Sequence, residues 1–198
     1  MKHLLSLEQL SQTQILDILN HAQTIIDNSY QLTHTQQLND KVLVNLFFFY
    51  CTSTQISFEI AAKRLGCDVT TIFADSSSIK KGESLLDTIK TLAAMQVDYI
   101  VLRHSENQAI NQLAQYFTDD HCPSLINAGE GSYAHPSQAL IDMLTIRQHK
   151  PAFETLSVAI VGDIKHSRVA RSQIIALCKL GVEDIRIIAP SEFKLSDN

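Results

Sequence analysis

The chain has 198 residues, 45% hydrophobic and 19% charged, enough to bury a sizeable core and too apolar to read as disordered. A formal charge of −5 and a pI near 5.9 argue against nucleic acid or an anionic membrane as the main partner. The four cysteines (Cys51, Cys67, Cys122, Cys178) form no C-x-x-C pair, and the eight histidines have no metal-ligand spacing. No apolar run reaches the length of a membrane span, so the simplest expectation is a reduced, cytoplasmic chain that needs no metal.

Taken in order, an apolar face over residues 6 to about 27 predicts a helix, with Ser6 and Gln9 fitting a capping pair. Residues 30–41 are polar and read as a loop. Residues 42–48 form a continuous apolar, β-branched and aromatic run, as expected of a strand covered on both faces. A helix over 53–65 ends at Gly66, a natural C′ residue. The alternation continues with a strand at 68–73, a polar loop at 74–83, a helix at 84–95 and a strand at 98–103. A helix at 107–117, a strand at 122–126 and a helix at 136–149 follow. Lys150-Pro151 marks a break. Beyond it come a strand at 156–161, a helix at 167–180 ending at Gly181, and a strand at 185–188.

Strands alternating with helices predict an α/β fold of parallel βαβ units. Two blocks are expected. Residues 1–150 suffice for a four-stranded parallel sheet with helices on both faces. Residues 151–198 hold only strand–helix–strand, so the sequence is expected to be a fragment whose second, Rossmann-like domain has only begun.

In a parallel sheet the strand C-termini share one edge, where ligands bind in open α/β folds. That edge gathers Thr52, Ser53 and Thr54; Ser76, Ser77, Ser78, Lys80 and Lys81; Arg103 and His104; His135 and Gln138; and Asp163, Lys165, His166 and Arg168. Cations, hydroxyls and helix starts in an acidic chain suit a small anion, a phosphate or carboxylate. Each group also has a plainer explanation. Thr52 with Gln55, and His135 with Gln138, could be capping pairs. Lys80-Lys81 could be a solvated turn, Asp163 and Arg168 a local ion pair, and the cysteines small core residues. Arg103 is harder to dismiss, because a charge ending a buried strand needs a partner. Pro136 suits the first helical position, which puts His135 at the N-cap, where the helix dipole favours a neutral imidazole. Val161-Gly162-Asp163 lacks G-x-G-x-x-G and is weak evidence for a nucleotide site.

The ordered set Phe47-Phe48, Thr52-Ser53-Thr54-Gln55, Lys81-Gly82-Glu83-Ser84-Leu85-Leu86-Asp87-Thr88, Arg103-His104, Asn127-Ala128-Gly129-Glu130-Gly131, His135-Pro136-Ser137-Gln138 and Val161-Gly162-Asp163 resembles the aspartate/ornithine carbamoyltransferase superfamily. Within it, the catalytic chains of the aspartate branch are most similar, over nearly the whole length. The resemblance implies a carbamoyl-phosphate domain over 1–150 and the beginning of an aspartate-binding domain over 151–198. It implies condensation of carbamoyl phosphate with L-aspartate to N-carbamoyl-L-aspartate and phosphate, in de novo pyrimidine biosynthesis, without a metal or organic cofactor. It also implies a homotrimer with sites between subunits, with regulatory chains as possible further partners. By position, Thr52, Ser53 and Thr54 fall in the phosphate turn, and Thr52 and Thr54 would hold the phosphate. Arg103 and His135 would donate to the carbamoyl oxygen, and Gln138 would bind the amino group. Ser77 and Lys81 would reach into the neighbouring subunit's site, and Arg168 would bind an aspartate carboxylate.

This sequence departs from the family in the turn that reads Phe-Phe-Glu-Pro-Ser-Thr-Arg-Thr-Arg. Here Ser53 and Gln55 replace its two arginines and Phe49 its glutamate. Those losses define the alternative, a catalytically impaired homologue that keeps the scaffold and serves as an assembly or regulatory partner.

Overall fold

The computed structural model describes residues 1–28, 36–49, 51–73 and 83–194. Four strands, β1 (Val42–Phe47), β2 (Asp68–Phe73), β3 (Tyr99–His104) and β4 (Ser124–Glu130), make one sheet in the order β2-β1-β3-β4. Every pairing is parallel. The period-2 alternation divides each strand between two apolar layers. Val44, Leu46, Ile100, Leu102 and Leu125 pack on one face. Leu43, Phe47, Val101 and Ala128 pack on the other. Covered on both faces, β1 and β3 are mostly apolar and show no polar alternation; the exceptions are the buried Asn45 in β1 and Arg103 and His104 at the end of β3.

Helix α1 spans Gln12–Asp27, α2 Thr52–Arg64, α3 Leu85–Ala94, α4 Ala109–Ala114 and α5 Pro136–His149. Helices α3 and α4 supply Ile89, Leu92, Ile110 and Leu113 to the first layer, and α2 supplies Ala62 to the second. Beyond α5, β5 (Ser157–Val161) and β6 (Asp184–Ile188) pair in parallel across α6 (Arg168–Lys179). A third apolar cluster, with Leu19, Met143, Phe153 and Leu177, joins α1, α5 and α6. Among the described residues no helix is long and apolar enough to cross a membrane.

The α/β alternation is the expected one, and the differences are local. Residues 7–9 form a 3-10 turn, and Leu10 is extended, so α1 begins later than expected. Two S-x-x-Q patterns lie five residues apart, and only the second forms a capping box. Ser11 Oγ accepts from Gln14 N at 3.1 Å, and Gln14 Oε1 accepts from Ser11 N at 2.9 Å. Ser6 makes no side-chain cap. Helix α4 is shorter than expected at both ends; it starts only after Gln108, which is left-handed with φ 62°, and it stops at Ala114. Strand β4 runs further than expected, through Glu130. Its polar end is tolerable in the core because Asn127 Nδ2 donates to Leu5 O at 2.8 Å and Glu130 Oε1 accepts from Ile110 N at 2.6 Å.

Ser11→Ala should lower stability by about 1 kcal/mol in urea unfolding, since it removes the helix-capping acceptor. An unchanged midpoint would show that α1 does not depend on this box.

Candidate active site

Arg103 is the penultimate residue of β3 and is only 7% exposed. Its Nη1 donates to Ala128 O at 2.9 Å and to Thr54 Oγ1 at 3.3 Å, and lies 3.5 Å from His135 Nε2. Its Cζ sits 4.8 Å from the centroid of the Phe49 ring. Among the described residues its buried Nε has no partner. Arg168, at the start of α6, donates from Nη1 to Gly131 O at 2.8 Å. Gly129 is where these groups meet. A Cβ there would lie 3.1 Å from Arg103 Nη1, 3.2 Å from Arg168 Nε and 3.2 Å from His135 Cδ2. Its φ of 117° and this crowding both require glycine.

Two guanidiniums and an imidazole thus share one corner, with Arg103 and His135 buried and Arg168 half-buried. Burial lowers the pKa of both arginines, and Arg103 lowers that of Arg168 further. His135 is pushed down to about 4, first by burial and then by the charges of Arg103 and Arg168. The imidazole is therefore neutral, as expected, but burial and two cations hold it there rather than the helix end alone. A bound anion would relieve the repulsion between the arginines.

Helix α2 points its N-terminus at this corner. Its N-cap is Cys51, which makes no side-chain cap, so the expected Thr52–Gln55 capping pair does not form. A helix start leaves its first N–H groups without intrahelical partners. Thr52 and Ser53 are exposed on that first turn, and Thr54 is half-buried against Arg103. Cys51 Sγ lies 3.0 Å from Thr54 Oγ1. Burial alone would raise the pKa of this thiol, but hydrogen bonds with Thr54 and Ser53 and the charge of Arg103 leave it lowered. Cys51 is thus a site residue and Cys178 is exposed, which corrects the expectation of four core cysteines.

His135 caps α5 by position only; its side chain makes no cap bond. Its backbone N donates to Ser172 Oγ of α6 at 2.9 Å. Gln138 does not bond back to the cap either. Its Nε2 donates to Asp142 Oδ1 at 3.0 Å, and Asp142 Oδ2 accepts from Gln173 Nε2 at 2.6 Å. Thr54, His135, Ser137 and Gln138 form the polar end of a cleft of roughly 370 Å³ whose other walls are apolar, among them Phe58 and Ile141.

Of the expected site residues, Thr52, Ser53, Thr54, Arg103, His135, Gln138 and Arg168 therefore lie along this one edge. Ser77 and Lys81, with Ser76, Ser78 and Lys80, lie outside the described residues. His104 faces elsewhere, packed edge-on to Phe48 with ring centroids 4.4 Å apart. Asp163 pairs with His166 at 3.0 Å rather than with Arg168. Ser172 escaped sequence reasoning altogether, since nothing distinguishes it from any serine in a helix. Among the described residues no three His, Cys, Asp or Glu side chains gather into a possible metal site.

Comparison with known proteins gives a consistent result. The family described as aspartate/ornithine carbamoyltransferase, carbamoyl-P binding domain, matches residues 2–148. The aspartate carbamoyltransferase catalytic subunit of Vesicomyosocius okutanii subsp. Calyptogena okutanii (strain HA) is 51% identical over 188 residues. That of Ruthia magnifica subsp. Calyptogena magnifica is 50% identical over 188 residues. In each case the match covers 95% of this chain and 58% of the relative. The chain thus spans rather more than half the length of these relatives. Among solved structures, the catalytic subunit of M. jannaschii aspartate transcarbamoylase superposes with a TM-score of 0.86 at 35% identity, covering 100% of this chain and 63% of that one. Aspartate transcarbamoylase from Trypanosoma cruzi, in complex with aspartate and phosphate, gives a TM-score of 0.86 at 30% identity, covering 99% and 63%.

A pH dependence follows from His135. Its folded pKa is depressed from 6.5 to about 4, so the unfolded chain takes up the proton first. The stability of the neutral form is present above pH 6.5 and is lost as pH falls through that window. His135 should contribute a loss of about 3 kcal/mol by pH 4. In thermal unfolding, the drop in Tm between pH 7 and pH 5 should be larger for the natural chain than for His135→Gln. Equal drops would mean the imidazole is not held neutral.

Proposed function

This chain belongs to the aspartate/ornithine carbamoyltransferase family, and from that premise we propose that it carries the carbamoyl-phosphate site of an aspartate carbamoyltransferase. The observation that carries the reading is the meeting of Arg103, His135 and Arg168 around Gly129, in front of the α2 N-terminus. A phosphate at the first turn of α2 would receive backbone N–H groups and the hydroxyls of Thr52 and Thr54. The carbamoyl oxygen would then lie toward Arg103 and His135.

The amine of L-aspartate would attack the carbamoyl carbon, negative charge would develop on that oxygen, and the C–O bond to phosphate would break, the departing phosphate taking both bonding electrons and the proton that the amine gives up. Arg103, always charged, and His135, a neutral donor, would stabilise the oxyanion. With a pKa of about 4 the imidazole is no proton source at neutral pH. Gln138 would hold the carbamoyl amino group, and Arg168 would take an aspartate carboxylate. No step calls on a metal or an organic cofactor. Support for the substrate pair comes from the T. cruzi relative, whose structures include complexes with carbamoyl phosphate and with carbamoyl phosphate plus aspartate.

Residues 1–150 would form the carbamoyl-phosphate domain and 151–198 the opening of the aspartate domain. Ser77 and Lys81 would complete a neighbouring subunit's site in a cytoplasmic homotrimer, to which regulatory chains could attach. The product would enter pyrimidine biosynthesis. Ser53 is the point of weakness, since a serine cannot supply the bidentate contact that an arginine gives a phosphate.

Calorimetric titration with carbamoyl phosphate in the cold tests the reading. The chain should bind it, and Arg103→Ala should weaken binding about a hundredfold, as expected for loss of a charge-assisted hydrogen-bond donor. Absence of binding to the natural chain overturns the proposal. In a separate test, Ser53→Arg should tighten carbamoyl phosphate binding by at least about tenfold. An unchanged affinity would show that the first turn of α2 does not face the ligand.

A further inference from the structure

We propose that Asp142 and Gln173 fix which end of the Gln138 amide faces the ligand, and so make the site selective for an acyl phosphate bearing an amino group. The inference rests on the carbamoyl-phosphate reading and adds residues that do not touch the substrate. Gln138 can present either its amide nitrogen or its oxygen to the cleft it shares with Thr54 and His135. A carboxylate only accepts hydrogen bonds. Asp142, one helical turn on, therefore takes the Gln138 Nε2 donor at 3.0 Å and leaves Oε1 for a ligand. An amide oxygen at that place accepts from an NH2 and has nothing to offer a methyl group or a carbonyl.

A solvated Gln–Asp pair four residues apart is common on helices and would leave the amide free to turn. Here the second carboxylate oxygen is taken by Gln173 Nε2 of α6 at 2.6 Å, in half-buried surroundings. Asp142 is held from both sides, so its acceptor is fixed toward Gln138. The same bond makes the polarity of Gln138 depend on α6 keeping its place against α5. Asp142 and Gln173 are thus positioning residues.

The test uses two stable phosphonates that differ in one group, phosphonoacetamide with NH2 and acetonylphosphonate with CH3. The natural chain should prefer the amide about tenfold, the size of one well-made hydrogen bond. Asp142→Asn, which can donate as well as accept, lets Gln138 turn over and should bring the ratio near one, with inorganic phosphate binding unchanged. Gln173→Met, a milder change, should lower the ratio at least about twofold by freeing one side of the carboxylate. An unchanged ratio in Asp142→Asn overturns the inference while leaving the site itself standing. If that variant does not fold, an unchanged ratio in Gln173→Met does the same. Failure of the natural chain to bind either phosphonate or phosphate overturns the carbamoyl-phosphate reading, and this inference with it.

Discussion

Two guanidiniums share the space around one glycine, and their mutual repulsion is the constraint on which the rest of the site depends. Among the described residues neither Arg103 nor Arg168 forms an ion pair; each is held by a backbone carbonyl, Ala128 O and Gly131 O. Buried charges are ordinarily paired, because taking an ion out of water is costly unless an opposite charge repays it. Two like charges kept close together with no carboxylate beside them among the described residues are what a site for an external anion would need, which is the ground of the function proposed above. That also explains the neutral His135, which sits too deep and too near both cations to accept a proton.

Such a cluster persists only if its framework is stiff. The turn between β4 and α5 is held from below by Asn127, which bonds Leu5 O and receives Gly129 N, and by Glu130, which caps toward Ile110 N. Burial raises the pKa of Glu130 and the Ile110 N–H draws it back down. From the other side α6 reaches in three times, through Arg168 to Gly131, Ser172 to His135 and Gln173 to Asp142. The small second sheet is thereby tied, through α6, to the C-terminal edge of the first.

Most of this order could be read from the residues. The apolar runs of β1 and β3, Gly66 closing α2 and Pro136 opening α5 each carry a strong local signal. Arg103 was legible because a cation ending a buried strand demands an explanation. What was not legible depends on long-range packing. Duplicate S-x-x-Q patterns concealed which serine caps α1. The pairing of Asp163 with His166, which frees Arg168 for the site, is a choice between two short-range partners that only the fold makes. Ser172 and Gln173 are ordinary helix residues until α6 is docked on α5. Cys51 reads from the sequence as a small core residue, and its place beside Thr54 and Arg103 was not visible there.

The aromatic ring of Phe49 against Arg103 has a consequence for how the site fills and empties. Where a carboxylate would offer the guanidinium an internal rival, a ring attracts it through its quadrupole and takes up none of its N–H groups. On the reading proposed above, an arriving phosphate would therefore displace no carboxylate from Arg103, and its departure would restore none. Occupancy would then be governed by the ligand's own concentration rather than by an electrostatic latch that must be broken on entry and remade on exit.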